Sequence, residues 1–534
     1  MTTVTPYRSD LGTGRDGFGQ LLRAEWTKFR TVRGWVIGVV VAVLVTAGIG
    51  LFAAGSTSTS CQQVGGGPAR SGAACMPTFP LGPGGEPVMD SFYFVRQPLT
   101  GDGSITVRVT SLTGLISKAN DSNGPQSPAS TRPGLVPWAK AGIIIKQNLK
   151  QGSPYAAMMV AADHGVRMQW NYTADTPGLS GTVGQRSPRW LRLTRAGDVI
   201  TGYDSADGTH WTQVGAVTLP GLPATVRAGL FAASPDDTVI SQAFGGTTSS
   251  GGSTQATAVI DNVSQSGGWR AGPWAGGYLG AADASGTGGY HQAGGRYTVT
   301  GSGDIAPIPA GHGGPLDSAM TINDYLVGTF AGLIALAVVA AMFITAEYRR
   351  SLIRVTLAAS PRRGRVLAAK AIVIGAVSFV AGLVGAAAAA IFGAEITHAR
   401  HYYEFPLPWP TEVRVIIGTA AVLAVAAVLA LAVGTMVRRS AAAVAIVIVT
   451  IVLPYFLSVT SAVPLGVSDW LLRISPAAGF AVQGAYPRYG QVTALYSPLS
   501  GYFPYQPWAG LAVLCAWTAL ALAGAAVLLR RRDA

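Results

Sequence analysis

The sequence predicts a membrane protein with six transmembrane α-helices and an all-β sandwich inserted between the first and second helices. Composition is the first observation behind this class: 49% of the 534 residues are hydrophobic and 12% are charged, about half the charged share of soluble proteins. The second observation is that the apolar residues form long uncharged runs. The third is that the segment between the first two runs reads as short strands.

Six uncharged runs are long enough to cross the roughly 30 Å hydrocarbon layer of a bilayer as helices. Because soluble cores lack such runs, the composition excludes most classes of soluble enzyme. The first run follows a hydrophilic leader, residues 1–34, and is longer than the apolar core of a signal peptide, which predicts an uncleaved anchor. The predicted spans are Trp35–Ala54, Tyr325–Ala346, Ala371–Ala394, Val415–Val437, Ala441–Val463 and Trp508–Leu529.

Arginine and lysine positions predict the orientation of the spans. The leader, the loops after the second and fourth spans, and the C-terminal tail are basic, and together they carry a net charge of +13, equal to that of the whole chain. By the positive-inside rule, both termini lie in the cytoplasm and residues 55–320 lie outside a bacterial plasma membrane. Topology therefore accounts for the basic charge, and no nucleic-acid partner is predicted.

The leader contains a pattern typical of an interfacial helix. Phe18, Leu22, Trp26 and Phe29 fall on one helical face, and basic residues lie away from the centre of that face. This arrangement predicts an amphipathic helix that lies on the lipid bilayer and leads into the first span.

The outer segment, residues 55–320, has a different character. Short, partly alternating runs such as Ser104–Thr110 and Val166–Tyr172 recur between Gly, Pro, Asn and Asp, which predicts an all-β sandwich with its core at about residues 90–263. Asp207-Gly208 between two such runs indicates a tight turn. Two stretches rich in small residues, Gly245–Thr257 and Gly267–Gly295, predict linkers or loose loops.

Several motifs of this segment resemble the concanavalin-like, laminin-G-type jelly roll. They include Trp138–Gly142 (WAKAG) and, most specifically, Gly202–Trp211 (GYDSADGTHW). The resemblance implies a carbohydrate-binding or adhesive module with a cell-surface glycan as its partner. Arg296–Ile305 resembles the opening strand of such a module, which predicts that the chain returns to complete the sandwich. Some relatives are glycoside hydrolases, which generally need two placed carboxyl groups. Glu86 is the segment's only glutamate, so a hydrolase is not expected, although the aspartates of the segment leave that activity open.

Few other residues of the sequence suggest chemistry. Cys61 and Cys75 both fall in the outer segment, where disulfides persist, so a bridge is favoured over two free thiols. His398 and His401, near Glu395 and Glu404, are read as surface polar residues rather than a metal site. The chain contains no Gly-Lys-Ser or Gly-Lys-Thr and so lacks a P-loop. No cofactor is expected on this chain; if ATP drives it, another subunit binds the ATP and Mg.

A second resemblance covers the membrane part, residues 321–534 with the leader and first span. Leu21–Lys28, Glu347–Leu357 and Ser475–Phe480 resemble a type-2 ABC-transporter permease of actinobacteria. The resemblance implies two permease copies paired with two ATPase subunits, most often for export. It also implies that the loop between the second and third spans, residues 347–365, contacts the ATPase. The candidate coupling residues are Glu347, Arg349, Arg350, Arg354, Arg362 and Arg363.

Two alternatives stay open at this point. Attraction to anionic lipid explains the arginines of the coupling loop as well as a contact with an ATPase does, but it does not explain Glu347, an acid within a basic loop. The chain as a whole could instead be a membrane-anchored, glycan-binding surface receptor or adhesin. Since one span would suffice for anchoring, six spans favour transport.

Overall fold

A computed structural model describes residues 17–56, 79–117, 131–243, 246–280, 288–311, 319–349, 362–400 and 402–532. The chain divides into two compact units. The helical unit comprises Met1–Cys75, Met320–Tyr486 and Ser497–Ala534, and the β unit comprises Met76–Ala319 and Pro487–Tyr496. The predicted bridge between Cys61 and Cys75 lies outside the described residues.

The helical unit confirms the prediction of six long apolar helices. By length and composition, six helices of the described chain could cross a membrane: Arg33–Ser56, Ile322–Arg349, Arg363–Ala399, Trp409–Val437, Ser440–Val459 and Pro507–Arg531. Several begin or end beyond the predicted spans because the helical backbone continues into the charged flanks. We label the helices α1 (Phe18–Thr31), α2 (Arg33–Ser56), α3 (Ile322–Tyr325), α4 (Thr329–Arg349), α5 (Arg363–Ala399), α6 (Trp409–Val437), α7 (Ser440–Val447), α8 (Leu453–Val459), α9 (Leu465–Ile474) and α10 (Pro507–Arg532).

A π-helical turn, Ile448–Val452, joins α7 and α8 within the fifth span. Pro454 lies two residues after the end of this turn, as the second residue of α8. Proline has no backbone N–H, and its ring clashes with the carbonyl four residues earlier, so a regular α-helix cannot continue there. A widened turn relieves that clash while keeping the span continuous.

Small residues allow the helices to approach closely, as is usual between membrane helices. A Cβ added at Gly332 of α4 would lie 1.9 Å from Oγ1 of Thr46, and one added at Gly385 of α5 would lie 3.1 Å from the Thr46 Cβ. The Thr46 hydroxyl donates to the Ala42 carbonyl at 2.7 Å. Helix α2 therefore packs against α4 and α5 with its polar group satisfied.

The β unit is built almost entirely of antiparallel strands. Its largest sheet has 14 strands within the described residues, which confirms a large antiparallel β region. The strands are β1 (Val88–Asp90), β2 (Phe92–Ser117), β3 (Thr131–Pro133), β4 (Lys140–Lys146), β5 (Tyr155–Ala161), β6 (Gly165–Trp170), β7 (Ala174–Pro177), β8 (Arg189–Ala196), β9 (Val199–Ser205), β10 (Thr212–Thr218), β11 (Thr225–Ala233), β12 (Asp237–Ala243), β13 (Gly246–Gly252), β14 (Thr254–Trp269), β15 (Ala275–Leu279), β16 (Gly289–Ala293), β17 (Arg296–Gly301) and β18 (Ile305–Pro307).

The long strand β2 joins the two halves of this sheet. Its first part pairs with β11 and β15, and its later part pairs with β8 and β14. Val95 and Leu99 from the first part, and Val107 and Val109 from the later part, are fully buried in one core. The sheet thus folds back on itself around its apolar side chains. The finer expectation of a jelly roll stays a prediction.

The linker prediction for Gly245–Thr257 and Gly267–Gly295 is wrong in part. Gly246–Gly252 forms β13, and Thr254 begins β14, which continues to Trp269. The sequence suggested a linker because Gly, Ser and Thr are common in loops. Ala256 and Ala258 are nevertheless fully buried on the core side of β14, since small side chains suffice where two layers meet closely.

The tight turn predicted at Asp207-Gly208 connects β9 and β10, which pair antiparallel. The Asp207 carboxylate accepts hydrogen bonds from the backbone N–H groups of Thr209 and His210, both at 2.8 Å. Gly208 has a φ of +79°, a conformation that favours glycine. The hydrogen bond from the Asp207 carboxylate raises the pKa of the His210 imidazole.

The first and last strands of the β unit pair with each other. Strand β1 runs antiparallel to β18, with Val88 opposite Pro307 and Asp90 opposite Ile305. Nearby, Arg296–Gly301 pairs with β14 and β16. The first and last strands therefore meet within the β unit, and we call the β1–β18 pair the strap.

Candidate functional site

Helix α1 places a charged residue, Glu25, on the face that packs against the other helices of the helical unit. Leu22 is partly buried against the apolar core, and Phe29 is 3% exposed within it. Glu25, between them on the same face, is completely buried. Phe18 and Trp26 stay exposed, at 37% and 47%. The predicted apolar face is thus divided, and Glu25 lies at the centre of the part that packs inward.

Glu25 belongs to a closed ring of four alternating charges, which we call the ion ring. Lys28 lies one helical turn along α1, Glu347 near the end of α4, and Lys370 in the first turns of α5. The N–O distances are 2.8 Å for Lys28–Glu25, 2.6 Å for Glu25–Lys370, 2.6 Å for Lys370–Glu347 and 3.1 Å for Glu347–Lys28. Each cation therefore contacts both carboxylates, and the ring is neutral overall.

Burial makes the ion ring sensitive to the loss of any inner member. The side chains of Glu25 and Lys370 are 0% exposed and that of Glu347 is 8% exposed. Buried charges are tolerated when they are paired, and removing one partner leaves the other uncompensated. Lys370 also lies 4.7 Å from the centroid of the Phe343 ring, a cation–π contact. Oε2 of Glu347 finds no hydrogen-bond partner among the described residues.

Lys28 is the ring member nearest to solvent, with 40% of its side chain exposed. Burial lowers the pKa of its ammonium group, and the Glu25 and Glu347 carboxylates raise it, with a net upward shift. The two carboxylates therefore stabilise the charged form of Lys28, which bridges α1 and the end of α4.

Aromatic side chains support the ring from α1, α2 and α4. The Phe29 ring lies 5.7 Å from that of Phe343 and 6.1 Å from that of Trp35. Trp35 and Phe343 meet edge to face at 5.0 Å. These contacts hold α1 against the bundle by apolar packing as well as by charge.

Two further contacts connect helices at the same end of the helical unit, which we call the basic end. The Arg363 guanidinium at the start of α5 donates to the Leu529 carbonyl of α10 at 2.7 Å. Cations favour such helix C-termini because the last carbonyls lack helical partners. The Arg438 guanidinium after α6 lies 5.0 Å from the centroid of the Tyr348 ring of α4.

The structure places the other predicted coupling residues differently. Arg349 is exposed at the end of α4, and Arg362 is exposed just before α5. Arg350 and Arg354 lie outside the described residues, as does His401. Glu347, the acid that stood out within a basic loop, is directed into the ion ring.

Sequence reasoning missed Glu25 and Lys370 as site residues. A signal for Glu25 was present, because Leu21 and Phe29 lie four residues before and after it, which places the carboxylate at the centre of the apolar face. For Lys370 there was no comparable signal, since a lysine at the start of a span reads as a topology marker.

A second polar site lies in a 3₁₀ helix between α9 and α10, Pro476–Gln483, whose eight residues are all buried. Nε2 of Gln483 lies 3.4 Å from Oγ1 of Thr329 and 3.3 Å from Oγ1 of Thr419. The Arg414 guanidinium of α6 donates to the Val482 and Gly484 carbonyls at 3.1 and 2.8 Å. We call Pro476–Gln483 the buried segment.

Comparison with known families assigns the chain. Residues 146–534 match the family described as ABC-2 family transporter protein. The chain belongs to the ABC-2 transporter family. It is accordingly a membrane protein with the transmembrane permease domain of an ABC transporter, a transport subunit whose family implies partnership with an ABC ATPase. The resemblance drawn from the membrane segments is confirmed at this level.

Comparison with solved structures yields only weak similarities. A functionally unknown protein from Saccharomyces cerevisiae is 14% identical, with a TM-score of 0.20, covering 34% of this chain and 76% of that one. A GH43 protein from Bacillus licheniformis is 15% identical, with a TM-score of 0.15 and 24% of each chain covered. Scytalido-glutamic peptidase is 7% identical, with a TM-score of 0.24, covering 40% and 98%. These scores are too low to assign a fold or an activity. A search of curated proteins gives no significant match.

Proposed function

We propose that this ABC-2 transporter is the permease subunit of an ATP-driven exporter. Two copies of the chain pair, and ATP and Mg bind to a separate ATPase subunit. The chain forms and breaks no covalent bond; ATP-driven closure of the ATPase shifts the permease helices between inward and outward access. The observation that carries this proposal is the ion ring, which joins α1, α4 and α5 beside the loop that the family resemblance assigns to the ATPase.

The ion ring suggests how a displacement would be transmitted. The coupling loop, residues 347–365, includes the end of α4 and the start of α5, so a force on that loop acts on the helix ends that carry Glu347 and Lys370. Separating Glu347 from Lys370 would leave each of them with only one partner in the ring, which is costly in a low-dielectric interior. The three helices are therefore expected to move together as one rigid body rather than one by one.

Coupling is tested by replacing Glu347 with glutamine, which keeps its size but removes its charge. We expect ATP hydrolysis by the co-purified ATPase to be stimulated about 2- to 30-fold less than by the wild-type chain, the usual range for residues on a coupling route. The measurement is ATPase activity in lipid nanodiscs at equal amounts of inserted permease.

Thr27→Ala is the matched control, because Thr27 lies on α1 but is exposed. Its stimulation should equal that of the wild type. Equal stimulation by Glu347→Gln and Thr27→Ala would leave Glu347 with a purely structural role.

The proposed orientation places both termini in the cytoplasm and residues 55–320 outside, as the positive-inside rule indicates. We test it with single cysteines in a background where Cys61, Cys75 and Cys515 are serine. A membrane-impermeant maleimide added to intact cells should label Lys150→Cys, an exposed site of the β unit, and spare Arg349→Cys. Labelling of Arg349→Cys in sealed cells would reverse the orientation.

For the β unit we propose a non-catalytic role, as a binding module for a cell-surface glycan or for the exported substrate. Two of its tryptophans, Trp138 and Trp190, are not free to stack on a sugar ring. A Cβ at Gly208 would lie 2.7 Å from the Trp190 ring, so the turn covers one face of that ring. The Trp138 ring stacks on His164 at 3.9 Å. A glycan partner would therefore contact other residues of the unit.

The isolated segment 79–311 tests this role. It includes the strap, so we expect it to fold with a strand-dominated circular dichroism spectrum and to release no sugar from polysaccharides. Hydrolysis that disappears when one aspartate is replaced would contradict the non-catalytic role. Glycan array binding by the same segment separates glycan recognition from a steric or assembly role.

A further inference from the structure

The connection between the last two spans contains a segment that joins the β unit. Pro487–Tyr496 belongs to the β unit, although the residues on both sides belong to the helical unit. We call this segment the arm. The Tyr496 hydroxyl accepts from the Tyr489 N–H at 2.9 Å and donates to the Tyr489 carbonyl at 2.8 Å, which closes the arm into a loop.

The side chain of Gln491 attaches the arm to the strands of the β unit. Gln491 is 3% exposed, and its Nε2 donates to the backbone carbonyls of Tyr172 and Thr173 at 2.9 and 3.0 Å. Both N–H bonds of the Gln491 amide therefore donate to carbonyls of a single turn between β6 and β7. A buried amide with both donors satisfied fixes position more strictly than apolar contact does.

The turn that receives Gln491 is itself held tightly. Asn171 and Tyr172 have φ values of 45° and 64°, which is uncommon for asparagine and rare for a bulky residue such as tyrosine. Such conformations persist where the surroundings impose them. The fully buried Tyr172 hydroxyl lies 2.7 Å from Oδ2 of Asp90 and accepts from the Lys146 ammonium at 2.9 Å.

The same cluster holds the strap. Asp90 ends β1, and its Oδ2 also lies 2.8 Å from the Lys146 ammonium. Just before β18, Asp304 pairs with the ammonium of buried Lys140 at 2.7 Å. The strap is therefore held to β4 by two ion pairs, and the turn that receives Gln491 is bonded to the Asp90–Lys146 pair.

At its other end the arm is close in sequence to the buried segment of the helical unit. Only residues 484–486 lie between Gln483 and Pro487, and three residues span at most roughly 11 Å when fully extended. Tyr486 is anchored in the helical unit, since its hydroxyl accepts from the Ile322 N–H at 3.3 Å. A displacement of the arm therefore acts on Tyr486 and, through only three residues, on the buried segment.

We infer that the arm is a mechanical linkage through which the β unit sets the position of the buried segment, with Gln491 as the positioning residue. An event that shifts the Asn171–Tyr172 turn, such as occupancy of the β unit, changes the restraint on Pro476–Gln483. The inference rests on the proposed function only in taking this segment as part of the permease. Its test requires neither ATP nor transport.

Hydrogen–deuterium exchange of the full-length chain in lipid nanodiscs tests the linkage. Gln491→Glu is nearly isosteric but replaces the donor amide with a carboxylate that faces two carbonyls. Gln491→Asn keeps the amide but shortens its reach. We expect about tenfold faster exchange in the arm and in residues 477–483 for both variants, in line with the loss of one or two net hydrogen bonds.

Thr493→Ala, at an exposed position of the same arm, should exchange like the wild type. Faster exchange confined to the arm would overturn the linkage, as would unchanged exchange throughout. A general rise in exchange across the strands would identify Gln491→Glu as misfolded, and the uncharged Gln491→Asn then decides between these outcomes. Because no ATPase is present, failure here is distinct from failure of the proposed exporter function.

Discussion

Replacing Lys370 with methionine is expected to lower the free energy of unfolding of the helical unit by about 3–5 kcal/mol, the cost of removing one partner from a buried ion pair. The side chains of Glu25 and Glu347 would then face each other without the cation that now lies 2.6 Å from both. Their carboxylates are buried, so water cannot replace Lys370. Thermal unfolding in detergent, followed by size-exclusion chromatography of the remaining folded protein, measures the loss.

Two further variants separate charge from packing in this experiment. Lys28→Met should cost less than Lys370→Met, because Lys28 is 40% exposed and water can partly take its place beside the two carboxylates. Lys370→Met combined with Glu25→Gln leaves only the Lys28–Glu347 pair, which is neutral, and should recover most of the stability. A double variant no more stable than Lys370→Met alone would show that the ring's charges are not coupled.

Replacing Lys146 with methionine is expected to destabilise the β unit by a similar amount, about 3–5 kcal/mol. Asp90 would keep hydrogen bonds from the Gly152 N–H at 2.9 Å and from Tyr172, but it would lose its only close cation among the described residues. In the wild type, burial lowers the pKa of Lys146 and the Asp90 carboxylate opposes that shift. Urea unfolding of the full-length chain, followed by strand circular dichroism, gives the difference.

A second variant identifies the cause of this loss. Lys146→Met combined with Asp90→Asn removes the uncompensated charge, so the double variant should recover most of the stability. Lys150→Met, four residues along and exposed, should match the wild type. A double variant no more stable than Lys146→Met alone would indicate lost packing rather than a buried charge.

The ion ring and the Lys146–Asp90 pair both place charged side chains where the sequence pattern alone predicts apolar residues. Polar groups within a membrane protein are costly unless they are paired with each other. The ion ring meets this condition near the basic end of the helices, and it joins an amphipathic leader helix to two spans. The cost of separating the charges is what makes the ring suited to moving helices together.

The sequence by itself determined the class of each unit. Charge-free runs of sufficient length can only be satisfied as membrane helices, so six spans follow from composition and spacing. Alternating aromatic and β-branched runs such as Ser104–Thr110 likewise predict strands, since their period matches the pleat. Within Glu347–Leu357, Glu347 was recognisable from the sequence as a residue of interest, because the positive-inside pattern explains the arginines of this segment but not an acid.

Which distant residues of the chain pair with each other was decided only by the tertiary structure. Glu25 and Lys370 are separated by 345 positions, and Gln491 and Tyr172 by 319. Local periodicity shows which face of an element is apolar, but it carries no information on which distant element that face will meet. The Gly- and Ser-rich stretch that became β13 and the start of β14 illustrates the same limit. Its residues have weak preferences of their own, and the pairing with β12, β2 and β17 made them strands.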